Sequence, residues 1–102
     1  MRLGIVVTDE RQANSAFEFL KSALALDWTV RCFLTDDGVN LIKNAEFITV
    51  ARDDRVHLSA CEHSIARCCD DFDLTGVEDA VIVGGQYQDA ELVRNSDRVL
   101  VF

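Results

Sequence analysis

The chain has 102 residues, about half of them hydrophobic and roughly a quarter charged, with no proline and a formal net charge of −8. That size predicts one domain with one core, and the negative charge, with no stripe of Lys or Arg, is the wrong sign for a nucleic-acid binder. The apolar run at the start, broken at once by Thr8 and Asp9, is too short for a signal-peptide core or a membrane span, so a soluble cytoplasmic protein is expected.

In chain order, Leu3 to Val7 is an unbroken apolar run of the kind found in strands buried on both faces. Ala13 to Leu26 carries Ala16, Phe17, Leu20, Ala23 and Leu24 at helical spacing, with Asn14 or Ser15 as N-cap. Thr29 to Leu34 reads as a second strand, ending in the turn Thr35-Asp36-Asp37-Gly38, and a short helix is expected around Val39 to Asn44. Phe47 to Arg55 is ambiguous, because Ile48-Thr49-Val50 suits an extended segment while Arg52 to Arg55 suits a loop. Val56 to Ala60 is the third strand, Glu62 to Asp71 a helix, and Ala80 to Val83 a fourth strand closed by Gly84-Gly85. Asp89 to Arg94 is a last short helix and Arg98 to Phe102 a final strand.

Alternating strands and helices predict βαβ units: a mostly parallel five-stranded sheet with helices on both faces, an α/β/α arrangement. Functional groups in such sheets gather beyond the carboxyl ends of the strands. Thr8 to Arg11, Thr35 to Gly38 and the surroundings of Cys61 all lie at that edge.

Several chemistries find no support. Thr8 to Ala13 contains no glycine, so neither a dinucleotide fingerprint nor a phosphate loop follows the first strand, and Asp9 and Glu10 would repel a flavin phosphate. A phospho-acceptor receiver would need an aspartate where the third strand ends in Cys61. Cys61, His63, Cys68 and Cys69 are metal-ligand types, but they spread along a predicted helix instead of a tight turn, and no metal or organic cofactor is expected. Cys61-x5-Arg67 formally matches the signature loop of cysteine-dependent phosphatases, yet the intervening residues hold no glycine and place Glu62 beside the nucleophile.

Cys61 stands where a buried strand becomes a helix. A helix N-terminus favours a thiolate and can lower a cysteine pKa from about 8.5 into a range of roughly 3.5 to 7.5. His63 and Arg67 are candidates for tuning it, opposed by Glu62 and by Asp9 or Asp36, while the plain alternative is a half-buried structural cysteine. Cys32, in mid-strand beside Phe33, is read as core. Cys61 to Cys68 spans about 10.5 Å of helical rise, beyond the roughly 7 Å a disulfide tolerates between Cα atoms. A lone cysteine at the edge suits a group carrier better than a dithiol couple.

Three stretches, taken together, resemble the DsrE/DsrF-like family of small sulfur-relay proteins: Phe33-Leu34-Thr35-Asp36-Asp37-Gly38-Val39; Val56 to Cys61 followed by Ala66-Arg67; and Ser96 to Phe102, with Gly84-Gly85 before a short helix. The resemblance runs nearly the full length and implies a single domain, residues 1–102, with a five-stranded α/β/α sandwich fold. It also implies homo- or hetero-oligomers, often trimers or hexamers, and a cysteine that carries sulfur between donor and acceptor proteins; that cysteine maps onto Cys61. Some members carry C-x-x-C where this chain has Ser64. An alternative within the same fold is a non-catalytic oligomeric interaction module. Assembly is also suggested by the small size of the chain and by the apolar last strand, which needs cover.

Overall fold

The computed structural model describes residues 1–102. Five strands form one all-parallel sheet: β1 (Arg2–Val7), β2 (Thr29–Leu34), β3 (Val56–Cys61), β4 (Ile82–Gly84) and β5 (Arg98–Val101), in the order β4-β3-β2-β1-β5. Four α-helices connect them: α1 (Ala13–Ala25), α2 (Ala45–Ala51), α3 (Glu62–Cys68) and α4 (Gln86–Arg94).

Strand order and handedness together decide the layers. The first three crossovers step across the sheet in one direction, so the right-handed rule places α1, α2 and α3 on one face. The fourth runs back from β4 at one edge to β5 at the other, and the same rule puts α4 on the opposite face. Side chains alternate accordingly. Ile5, Cys32 and Leu58 lie side by side in register, with Leu100 opposite Ile5, and face the three-helix layer. They join Leu3, Val7, Val30, Leu34 and Ala60 in the main core with Phe17 and Leu20 of α1 and Phe47 and Ile48 of α2. Cys32 is thus core, and burial pushes its thiol pKa up to about 12.

Gly4, Val6, Arg31, Phe33, Ser59 and Cys61 alternate onto the α4 face. Here Leu92 packs close to bare backbone: a Cβ at Gly4 would stand 2.7 Å from both Leu92 Cδ2 and Ser96 Oγ, so any larger residue would push these side chains aside. One short helix does not cover this face. Val101, Tyr87, Val93 and Ile82 stay exposed.

Several segments differ from the sequence expectation: α3 ends at Cys68 and not Asp71, β4 runs Ile82–Gly84 and not Ala80 to Val83, and three earlier segments differ as well. The ambiguous stretch around Ile48 is helical, because Asn44 caps it, accepting from the Phe47 N–H at 3.1 Å, and because Phe47, Ile48 and Ala51 are buried along one stripe. The short helix expected around Val39 to Asn44 is a 3-10 helix that starts earlier, Asp36–Lys43, with Asn44 as its C-cap. The first helix is not capped by Asn14 or Ser15: Asp9 accepts from the Arg11 N–H at 2.9 Å and opens a 3-10 turn, Glu10–Gln12, that runs straight into α1.

Candidate functional site

Cys61 is the last residue of β3 and the N-cap of α3, half-buried on the α4 face of the sheet. Beside it opens a cleft of about 600 Å³ at the carboxyl edge of the strands. Its floor is Val6 and Phe33, its rim includes Thr8, Thr35, Glu62 and His63, and the far wall is the start of α4, with Gln86 and Asp89. The three segments expected at this edge therefore do contribute to one place, and α4 closes it.

The electrostatics follow from the junction. Burial pushes the Cys61 thiol up, but several donors outweigh it and hold the pKa below the usual cysteine value: the Ser64 hydroxyl and N–H, the His63 N–H, and the Thr35 hydroxyl. The neutral thiol makes no short cap bond to the helix. The His63 and Ser64 amides are the orphan donors of the first helical turn, and they gain an acceptor when the sulfur ionises.

Ser64 organises this arrangement. It is buried, and while its hydroxyl faces the sulfur, its oxygen accepts from the Asp36 N–H at 2.9 Å and lies 3.5 Å from the Thr35 hydroxyl. Asp36 has a left-handed backbone with φ of 50°, a conformation non-glycine residues seldom adopt, and the Ser64 bond satisfies its amide there. Ser64→Ala should therefore have two effects. The pH–rate profile of Cys61 alkylation should move to higher pH, and unfolding by urea should show a loss of about 1–2 kcal/mol from the stranded Asp36 amide.

The candidate residues separate. Cys61 and His63 share the cleft. Arg67 does not reach it: it lies in a different groove with Asp9, Arg11, Asp37 and Cys68, and its guanidinium pairs with Asp36 at 3.4 Å. The reason is helical geometry, since six residues after Cys61 the chain has turned about 240° past the sulfur. A phosphate-clamping Cys-x5-Arg loop is thus not formed. Cys69 is buried against Asn40 and its thiol is pushed up by burial; Cys68 packs at the margin of the core. No three of the His, Cys, Asp and Glu side chains are grouped to hold a metal ion. All four cysteines are free thiols.

Ser64 and Asp89 escaped the sequence reading as site residues. For Ser64 a signal existed: it is the third residue after a helix N-cap, the position from which a polar side chain reaches back to the cap. For Asp89 there was none, because only the fourth crossover brings it across the sheet.

A parallel three-layer α/β sheet with a thiol at the strand-to-helix edge defines a class of small cysteine-bearing α/β domains. The chain belongs to the DsrE/DsrF-like family, whose model matches residues 1–102. No curated protein matches it with significance. Among solved structures, a conserved protein of unknown function from Bacteroides thetaiotaomicron is similar at 18% identity, with 99% of this chain and 94% of that chain covered and a TM-score of 0.64, a likeness of fold. No helix is long and apolar enough to cross a membrane.

Proposed function

We propose that this protein is a sulfur carrier that holds sulfane sulfur as a persulfide on Cys61 and passes it on by exchange. The observation that carries this reading is the coincidence, at one thiol, of partial exposure, an adjoining cleft and a stabilised thiolate. Membership of a sulfur-relay family supports it. His63 borders the cleft, and its backbone N–H faces the sulfur. Arg67 acts at one remove, by pairing with Asp36, whose amide in turn orients Ser64. The carrier works in a reducing cytoplasm, where its thiols stay free.

Assembly into a homo-oligomer, a trimer or hexamer, completes the proposal. The exposed Val101, Tyr87, Val93 and Ile82 around α4 are the surface that favours it. The same surface favours a second reading, an interaction module in which Cys61 is only structural.

Incubation with a sulfane donor, followed by cyanolysis and intact-mass measurement, separates the two. The wild type should gain one sulfur and Cys61→Ser none. Alkylation of Cys61 by iodoacetamide should have a midpoint below that of a free thiol, since a lowered pKa enlarges the thiolate fraction at neutral pH. Equal loading of Cys61→Ser, or labelling only on unfolding, would leave the interaction module.

A further inference from the structure

The charge around the Cys61 cleft is one-sided. Glu62 and Asp89 line it and no lysine or arginine does; the remaining lining is apolar or neutral apart from His63. The arginines at the same sheet edge are engaged elsewhere. Arg67 pairs with Asp36 at 3.4 Å and Arg11 with Asp9 at 2.8 Å, both bordering the separate groove. Neither Glu62 nor Asp89 has an ion-pair partner, so no cation of this chain stands between them and whatever enters. The chain's net charge of −8 adds the same sign at long range.

An enzyme that takes sulfur from thiosulfate must hold a dianion beside a thiolate, which requires cations at the site. This cleft has the opposite lining. Resting on the sulfur-carrier reading above, we infer that Glu62 and Asp89 are specificity determinants that exclude sulfur oxyanions, and that Cys61 is loaded by a protonated persulfide on an uncharged or basic carrier. In that step the Cys61 thiolate attacks the outer sulfur of the donor persulfide and a new S–S bond forms at Sγ. The donor's own S–S bond breaks, its electron pair leaves on the inner sulfur as a thiolate, and the proton stays on the transferred sulfur. Two-electron balance is internal to the exchange, and no added oxidant enters. With thiosulfate the same bond would form at its outer sulfur with sulfite leaving, but the approaching dianion meets two carboxylates without a counter-charge.

The test compares two alkylating reagents of similar size and opposite demand, neutral iodoacetamide and anionic iodoacetate, on Cys61 of the native wild type and of the Glu62→Gln/Asp89→Asn double variant. Both substitutions are near-isosteric at positions outside the main core, so the fold is retained. Taking the ratio of the two rates cancels any change in thiolate population. The iodoacetate to iodoacetamide ratio should rise about tenfold in the double variant, and thiosulfate should begin to load Cys61. An unchanged ratio overturns the charge filter and leaves the carrier reading standing. Failure of both thiosulfate and cysteine persulfide to load the wild type, with the ratio shifted, overturns the carrier reading and the donor assignment with it. Efficient thiosulfate loading of the wild type overturns the donor assignment alone.

Discussion

Phe47→Ala is expected to lower the free energy of unfolding by about 3–5 kcal/mol, read as a fall in the urea midpoint at unchanged slope. Phe47 is 1% exposed, and its ring meets Phe17 of α1 edge-on with centroids 5.5 Å apart. Truncation removes this contact and leaves a cavity between two helices that the parallel sheet holds from below, so the walls cannot close on it. Against a total stability of about 5–15 kcal/mol for a domain of this size, the variant sits near the limit of folding. Phe47→Leu, with a cost of about 1–2 kcal/mol, keeps the measurement within range. A loss below about 1 kcal/mol for the alanine variant would mean that α2 is not packed as described.

Gly38→Ala should be nearly as costly, about 3 kcal/mol, although it adds one methyl group at a turn. A Cβ at that position would stand 2.3 Å from the Val7 carbonyl oxygen and 2.8 Å from its carbon. Val7 cannot retreat, because β1 is paired with β2 on one side and β5 on the other. The turn must lift instead, drawing on Val39, Leu41 and Ile42, which are buried just after it. The same shift displaces Thr35 and Asp36, so Cys61 should lose thiolate stabilisation, visible as slower alkylation at neutral pH. Gly76→Ala is the control: nothing lies within 4 Å of its added Cβ, and its effect should stay within about 0.5 kcal/mol. Equal effects of the two substitutions would contradict the close approach of the turn to β1.

The legibility of this fold in its sequence follows the strength of local signals. β2 was readable to the residue, because Thr29 to Leu34 is bounded by Trp28 on a helix exit and by the Thr35-Asp36 turn. The stretch around Ile48 was not, since Ile-Thr-Val suits a strand locally and only burial against α1 and the sheet selects the helix. Likewise α4 begins at Gln86, three residues before the expected Asp89, because Gly85 and the packing of Gln88 on Gly84 start it there. Cys61 was legible because a strand end and a helix start are both local features. The company it keeps was less so. Thr35 and Asp89 reach it through crossovers, and Arg67, which looked near in sequence, is carried away by the turn of α3 itself.

The pairing of β1 with β5 bears on how the domain assembles. The Arg2 amide donates to the Asp97 carboxylate across 95 positions of chain, and the Asp97 N–H donates back to the Arg2 carbonyl. β1, β2 and β3 pair through local crossovers, whereas the chain must cross from β4 at one edge of the sheet to β5 at the other before β5 can pair with β1. Such long-range pairing closes slowly, because the loop entropy is lost before the contact forms. Until then the β1 edge beside Leu3 to Val6 is an open, apolar template for another strand. The β1–β5 ladder is therefore the one that covers this edge from neighbouring molecules, and substitutions in Arg98–Val101 should reveal themselves first as aggregation during refolding and only afterwards as lost equilibrium stability.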